Sequence, residues 1–226
     1  MPVDPQAAAE ITAFRWVPDF AAGLVRDLRV RWALEEVGRP YRVRTFDAMS
    51  PRPADYFHEQ PFGQVPAYRD DEVHLFESGA ILIHLGLGDE RLLPTDANGR
   101  GRAIAWLIAA LNSVEPMFFE LVNIDIFNRD QEWTKERRPQ VIEKIQERLR
   151  LLAEALGDRD WFDGRFTIGD LMMVSVLRNL RHTGLVAEQP ALAAFVARGE
   201  ARPAFQRALA DQLAVFSANQ PEGASA

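Results

Sequence analysis

Gln60-Pro61-Phe62-Gly63-Gln64-Val65-Pro66 is the motif that sets the architecture of the first half of this chain. Val65-Pro66 stands where a predicted loop turns into a strand, a position at which proline removes no hydrogen bond from a sheet. About 5% of X-Pro bonds in folded proteins are cis, so the dipeptide alone favours an ordinary trans turn. A cis turn would instead leave the N–H and C=O of Val65 available to an extended peptide, which would pair with them as an added strand does.

A second motif, Glu77-Ser78-Gly79-Ala80-Ile81, follows after a predicted hairpin. Apolar residues precede it and an apolar run to Leu85 continues it, which predicts a strand, a Ser78 N-cap and a helix in that order. The first N–H groups of such a helix attract a carboxylate. Ser78 is therefore either a plain helix cap or part of an anion site.

The segments around these motifs predict a thioredoxin-like domain, because their order is β-α-β-α-β-β-α. The predicted strands cover residues 11–16, 41–46, 67–69 and 73–76. The predicted helices cover residues 24–37, a short segment that ends near Glu59, and the segment opened by Ser78.

No strand pattern appears from residue 100 onward, which predicts an all-helical second domain. Helices are predicted at 101–127, 139–156, 168–180, 190–198 and 203–216. Pro116 should kink the first of them. Thr167 and Asp170 stand at N-cap and N3, a capping-box pattern with Asp in place of the usual Glu. The fold class is therefore α/β plus all-α, with domains at 9–88 and 100–216, a linker at 89–99 and a disordered tail at 217–226.

Composition excludes several classes of function. A net charge of −7 argues against nucleic acid as the general partner, and the absence of Cys excludes disulfides, thiolate metal sites and a Cys nucleophile. Charged residues interrupt every apolar run before the roughly 20 residues that span a bilayer. The N-terminal residues lack a signal-peptide pattern, so we expect a cytosolic protein with no membrane partner.

Arginines crowd one short segment of this acidic chain. Six of them fall within it: Arg26, Arg29, Arg31, Arg39, Arg42 and Arg44. They form either a solvated face or an electropositive wall for a small anionic ligand.

Four motifs in order give the chain a resemblance to the cytosolic glutathione S-transferases. They are Gln60 to Pro66, Glu77 to Ile81, Phe166-Thr167-Ile168-Gly169-Asp170, and Arg202-Pro203-Ala204-Phe205. The resemblance implies glutathione as co-substrate, no metal, and a homodimer. It also makes Pro66 a cis-proline, overturning the expectation from the dipeptide.

The resemblance assigns roles to individual residues. The Val65 backbone would pair with the cysteinyl part of glutathione, and Glu77 and Ser78 would hold the γ-glutamyl end. Gln64 would lie near the glycyl end, where Arg52 could reach the carboxylate. Thr167 and Asp170 resemble the family's capping box, which serves folding.

The loop after the first strand departs from the family pattern. Most relatives place a Tyr, Ser or Cys there to hold the glutathione sulfur as a thiolate, whereas residues 16–27 contain no hydroxyl or thiol. Arg26, together with backbone N–H groups of residues 22–24, is the candidate catalytic group, since a cation and a helix N-terminus lower a thiol pKa. Arg26 is equally well explained as a surface helix residue.

A pocket for a small hydrophobic electrophile is expected between the two domains. Its candidate residues are Trp16, Phe20, Trp106, Phe118 and Phe119. The alternative interpretation of each is a residue of the hydrophobic core. The four His residues lack metal-ligand spacing. The expected function is glutathione transfer to an electrophile. The alternatives are a glutathione-dependent disulfide reductase, peroxidase or isomerase, and a non-catalytic glutathione-binding or protein-interaction module.

Overall fold

The computed structural model describes residues 2–221, and the strands of this range form a four-stranded mixed sheet. The strands are β1 (Ala9–Phe14), β2 (Tyr41–Phe46), β3 (Ala67–Arg69) and β4 (His74–Phe76), in the order β2-β1-β3-β4. β1 and β2 are parallel, whereas β3 is antiparallel to both of its neighbours. The predictions for β2 and β3 are confirmed residue for residue, and β1 begins two residues before the predicted start at Ile11.

Two helices complete the thioredoxin-like half. α1 (Asp27–Val37) connects β1 to β2, and α2 (Ser78–Leu87) follows β4. A 3-10 helix, Ala54–His58, lies in the connection between β2 and β3. α1 starts three residues later than predicted, because the preceding residues form successive turns rather than helix. Gly38 ends α1 with a φ of 68°, the left-handed conformation that glycine adopts without steric cost.

The last helix, α8 (Pro203–Ala218), packs against α1. The Trp32 and Phe205 rings meet edge to face at 4.9 Å, and the Arg202 guanidinium donates to both carboxylate oxygens of Glu36 at 2.6 and 2.8 Å. Gln212 is fully buried, and its Nε2 donates to Asp27 Oδ1 at 2.7 Å. These contacts join α8 to the sheet-containing unit.

Among the described residues, one compact unit therefore comprises 2–92 and 202–221, and the other comprises Leu93–Ala201. This division differs from the predicted helical domain at 100–216, because the polar partners of α8 lie on α1. Of the predicted tail, Ser217 and Ala218 belong to α8, and residues 222–226 lie outside the described range.

The second unit is helical, which confirms the predicted fold class. Its elements are α3 (Ala97–Ala109), a π-helical turn (Ala110–Val114), α4 (Glu115–Val122), a second π-helical turn (Asn123–Phe127), α5 (Glu132–Leu156), α6 (Ile168–Leu177), a 3-10 turn (Arg178–Leu180) and α7 (Pro190–Glu200). The π-helical turn before Pro116 stands where proline interrupts the regular hydrogen bonds, at the predicted kink position. α5 begins at Glu132, so the predicted start at Pro139 is wrong. Pro139 is exposed inside the helix, where it donates no N–H to the carbonyl four residues earlier.

Residues 97–127 form a helical run of 31 residues that is long and apolar enough to cross a membrane by length and composition alone. Charged residues divide this run, and for that reason the sequence pattern predicted no membrane span. The core helix of a soluble protein meets the same criterion. Ala103, Leu107, Phe118 and Leu121 on this run are almost fully buried, and 33% of its most apolar 18-residue window is buried.

The predicted capping box at the start of α6 is confirmed. Thr167 Oγ1 accepts from the Gly169 N–H, and Asp170 Oδ2 accepts from the Thr167 N–H at 2.9 Å and from its hydroxyl at 3.0 Å. Asp170 Oδ1 also accepts from the Phe162 N–H at 2.9 Å, which ties the preceding loop to the helix. Asp170 is completely buried, and this burial raises the pKa of its carboxyl to about 6 despite the three hydrogen bonds.

Gly169→Ala is expected to lower the free energy of unfolding by about 1–3 kcal/mol, because overpacking a tight contact forces backbone shifts. A Cβ at this position would lie 2.7 Å from Trp106 Cβ and 2.9 Å from the carbonyl oxygen of Ala103, so α6 would have to move away from α3. Urea unfolding measures the change.

Gly101→Ala is the matched control, since a Cβ on this exposed α3 glycine meets no atom within 4 Å. We expect it to raise the free energy of unfolding by up to about 1 kcal/mol through helix propensity. Equal effects of the two substitutions would contradict the close approach of α3 and α6.

Candidate functional site

The Val65-Pro66 peptide bond is cis, as the family resemblance implied and the dipeptide frequency did not. It lies directly before β3, and both residues are buried. Gln60, also buried, accepts hydrogen bonds on its Oε1 from the N–H groups of Phe62 and Gln64, at 2.7 and 3.1 Å. The Gln64 side chain is exposed. The motif is thus a hydrogen-bonded loop that presents Gln64 at the surface.

Glu77 and Ser78 stand at the start of α2, but the structure corrects their predicted roles in the helix. Glu77 occupies the N-cap position and Ser78 is the first helical residue, so Ser78 does not cap the helix. Glu77 adopts φ 69° and ψ 115°, a backbone conformation that costs a non-glycine residue about 1–3 kcal/mol and is concentrated at functional sites. Ser78 is 4% exposed, and its Oγ lies 3.4 Å from Nη1 of the buried Arg29. The start of α2 therefore combines helix N–H groups, a hydroxyl and a nearby cation.

Arg52 is bound within the loop that precedes Gln64. Its guanidinium donates to the carbonyl oxygens of Gly63, Asp47 and Ser50 at 3.2, 2.6 and 2.8 Å, and it lies 4.9 Å from the centre of the Phe14 ring. These contacts hold the loop against β1. The predicted reach of Arg52 to a glycyl carboxylate remains a proposal.

Arg26 stands at the N-cap position of α1 and is half-buried. The backbone of the loop before it differs from the expectation. The Ala22 N–H donates to the carbonyls of Pro18 and Asp19, both at 3.2 Å, and the Leu24 N–H donates to Ala21 at 2.9 Å. These two N–H groups are therefore used within the loop, which differs from their predicted role in stabilising a thiolate.

The arginine cluster forms neither a solvated face nor a continuous wall. Arg29 and Arg31 are buried, and Arg31 Nε donates to the equally buried Asp27 at 2.7 Å. The remaining pairs outside α1 are Arg39 with Asp70, Arg42 and Arg44 with Glu10, and Arg44 with Glu59. Acidic partners therefore balance most of this positive charge.

The five aromatic residues predicted for the electrophile pocket have different environments. Trp16 is half-buried and Phe20 is 45% exposed, whereas Phe118 is fully buried and offers a ligand no surface. Trp106 is half-buried and stacks on Phe162 with ring centres 4.1 Å apart, and Phe119 is 41% exposed. None of the five lines the groove of about 470 Å³ on the second unit, which is formed by Glu120, Asn123, Trp133, Glu136, Arg137 and Gln140.

Two residues that the sequence pattern does not single out contact the residues beside the cis peptide. Thr12 and Tyr56 are buried, and their hydroxyls lie 2.8 Å apart. One stands on a strand and the other on a 3-10 helix, 44 positions apart, so no local pattern connects them.

Comparisons with known proteins identify the same family for both halves of the chain. Residues 20–86 match the family model of the glutathione S-transferase N-terminal domain, and residues 118–212 match that of the C-terminal domain. The glutathione S-transferase GstA of Escherichia coli O157:H7 is 34% identical over 185 residues, which cover 78% of this chain and 89% of the relative.

Solved structures agree with these matches. A glutathione transferase from Burkholderia graminis with two glutathione molecules bound per subunit superposes with a TM-score of 0.76 at 28% identity, covering 89% of this chain and 87% of that one. A family member from Pseudomonas fluorescens with two glutathione bound gives 0.77 at 26% identity, covering 89% and 92%. Sequence, both domain models and fold together show that the chain belongs to the glutathione S-transferase family.

Proposed function

We propose that this chain is a glutathione transferase that adds the thiolate of glutathione to a small hydrophobic electrophile. The observation that carries the proposal is the geometry at the start of α2. There the buried Ser78 hydroxyl oxygen lies 3.4 Å from Nη1 of Arg29. A γ-glutamyl carboxylate bound there would meet helix N–H groups, a hydroxyl and a cation, which together favour an anion. The Val65 backbone would pair with the cysteinyl part, and Gln64 and Arg52 would face the glycyl end.

Glutathione binding and turnover test this proposal in two steps. A ligand that binds only the native state at 100 times its Kd stabilises it by about 2.7 kcal/mol, so glutathione should raise the melting temperature. Turnover is then measured with a panel of electrophiles. No shift with millimolar glutathione would contradict the proposal, and a shift without turnover would favour a non-catalytic binding module.

Arg26→Ala is expected to raise the apparent pKa in the pH–rate profile of conjugation by about one unit and to lower the rate at pH 7 about tenfold. A neighbouring cation lowers a thiol pKa from about 8.5 by one to several units, and its removal returns the thiol toward that value. The rate is measured from about pH 5.5 to about pH 10, so that the profile extends about 1.5 units above the free-thiol pKa of about 8.5.

Arg15→Ala is the matched control for Arg26, since Arg15 is an exposed arginine in the same loop. It should retain the wild-type profile, and Arg26→Lys, which keeps the charge, should retain most of it. An unchanged profile in Arg26→Ala would show that another group stabilises the thiolate.

The electrophile is proposed to contact the aromatic side chains that retain exposed surface. These are the exposed Phe20 and Phe119 and the half-buried Trp16 and Trp106. Phe118 is fully buried and is therefore excluded from the proposed contact residues. Cross-linking with a photoreactive glutathione conjugate would identify the contact residues, and labelling confined to other segments would exclude this set.

A second candidate function is glutathione-dependent disulfide reduction. It is favoured by the two glutathione molecules per subunit in the Burkholderia graminis structure, since reducing a disulfide consumes two thiols. An assay with 2-hydroxyethyl disulfide, scored by glutathione disulfide formed, would separate this activity from conjugation.

We also propose that the protein is a cytosolic homodimer. The exposed rings of Phe62 and Phe76, with centres 6.3 Å apart, give the sheet-containing unit an apolar surface that a second copy could cover. Sedimentation velocity would test the dimer, and cell fractionation would test the location.

A further inference from the structure

Two buried hydroxyls connect the residues on either side of Val65-Pro66. The Ala67 N–H donates to Thr12 Oγ1 at 2.7 Å, Thr12 Oγ1 lies 2.8 Å from Tyr56 Oη, and Tyr56 Oη lies 2.6 Å from the Gln64 carbonyl oxygen. The three contacts form a continuous path from the residue after Pro66 to the residue before Val65. We call this path the hydroxyl relay.

Chemistry fixes the direction of the hydroxyl relay. A carbonyl only accepts, so the single hydrogen of the Tyr56 hydroxyl points to Gln64. Tyr56 Oη then has lone pairs left, and the Thr12 hydroxyl donates to it while accepting from Ala67. Burial raises the pKa of Tyr56 above its ordinary value of 10, so the phenol keeps its hydrogen throughout the neutral range.

The hydroxyl relay lies in the interior. Tyr56 is 1% exposed and Thr12 is 2% exposed, so water does not replace a lost partner without rearrangement. A buried polar group left unpaired costs more than the bond contributes when made. Both flanks of the Val65-Pro66 peptide are therefore held by bonds that are costly to break.

We propose that Thr12 and Tyr56 are positioning residues that orient the Val65 backbone for pairing with the cysteinyl part of glutathione. This rests on the proposed function, in which Val65 forms that pair. Neither hydroxyl touches the ligand in this assignment. Each acts through the backbone of Gln64 or Ala67, which sets the direction of the Val65 N–H and C=O.

The test is a cycle that pairs a protein change with a ligand change. Dissociation constants are measured by calorimetry for S-methylglutathione and for the same compound methylated on the cysteinyl amide nitrogen, with wild type, Tyr56→Phe, Thr12→Val and Thr12→Ser. In wild type, methylation should weaken binding about tenfold, because one hydrogen bond is lost and another group is left unpaired. Tyr56→Phe and Thr12→Val should each weaken binding of S-methylglutathione about tenfold. In these two variants, methylation of the ligand should lower the affinity by at most about a further threefold. Thr12→Ser should behave as wild type.

Tyr68→Phe is the matched control. Its hydroxyl donates to Asp70 at 2.7 Å and takes no part in the hydroxyl relay, so it should keep wild-type affinities for both ligands. In Tyr56→Phe and Thr12→Val, ligand methylation could still weaken binding by the full tenfold seen in wild type. That result would show a general structural effect of the substitutions and overturn the positioning role, while leaving the proposed function intact. If wild type binds neither ligand, the proposed function fails, and the positioning role fails with it.

Discussion

Ser78→Ala is expected to weaken glutathione binding by about 10- to 100-fold, which corresponds to a charge-assisted hydrogen bond of about 1.5–3 kcal/mol. The Ser78 hydroxyl is buried at the first turn of α2, where the proposed ligand carboxylate would accept its hydrogen. Methyl replacement removes this donor and leaves a desolvated carboxylate one partner short. Calorimetric titration with glutathione measures the loss.

Ser175→Ala is the matched control for Ser78. Its hydroxyl is also buried and donates to the Leu171 carbonyl at 2.8 Å, within the helical unit. This variant should bind glutathione as wild type does, whereas the melting temperature of the Ser78 variant should rise little when glutathione is added. Wild-type affinity in Ser78→Ala would show that the carboxylate binds elsewhere.

The fold was predictable where the alternation of polar and apolar side chains agrees with the residues that end a strand or helix. β2 alternates polar and apolar residues between Pro40 and Asp47, and its bounds were predicted correctly. The start of α1 was predicted incorrectly. Leu24 and Val25 continue the apolar pattern of the helix, but their backbone still follows the turns that contain Gly23 at φ 75°. Hydrophobic periodicity reports burial, and it does not distinguish a helix from a packed turn.

The glutathione residues were predictable only through motif order. The dipeptide frequency favoured a trans Val65-Pro66 bond, and four motifs in sequence were needed to reverse that expectation. The residues around the motif could not be found in this way. Thr12 reads as an ordinary strand residue and Tyr56 as part of a short helix, because the contact between them arises only when β1 and the 3-10 helix come together.

Buried charge was the least predictable feature. Arg29 and Arg31 look like surface arginines in the sequence, yet both are almost fully buried. Their partners, Ser78 for Arg29 and Asp27 for Arg31, lie on two different helices, and Gln212 from α8 completes the Asp27 contacts. Composition shows how many charges exist, whereas their pairing depends on tertiary structure.

Asp170→Ala is expected to have the largest effect on folding, lowering the free energy of unfolding at pH 7 by about 3–4 kcal/mol. The carboxylate accepts three hydrogen bonds, from the Phe162 N–H and from the N–H and hydroxyl of Thr167. Each donor left unpaired in the interior costs about 1–3 kcal/mol. As a control, Asp96→Ala removes an exposed aspartate that caps α3 through the Gly99 N–H, and it should cost only about 1 kcal/mol.

The pH dependence of this effect has a definite sign. Burial raises the Asp170 pKa to about 6 from its ordinary 3.8, so between these values the folded chain holds a proton that the unfolded chain has released. The stabilisation from this proton is fully present below about pH 4 and is lost as the pH rises through 6. Since one pKa unit corresponds to about 1.4 kcal/mol, Asp170 itself should remove up to about 3 kcal/mol of wild-type stability over that range.

The stability gap between wild type and Asp170→Ala should therefore widen on acidification from pH 7 to pH 4, by about 1–3 kcal/mol. Other titrating groups change both proteins together and cancel in the gap, so the slope reports Asp170 alone. Urea unfolding at pH 4, 5, 6 and 7, a range of about three units that spans the titration, measures the gap for both proteins. A gap that stays constant or narrows toward pH 4 would mean that the three hydrogen bonds outweigh burial and hold the carboxylate ionised in the folded chain.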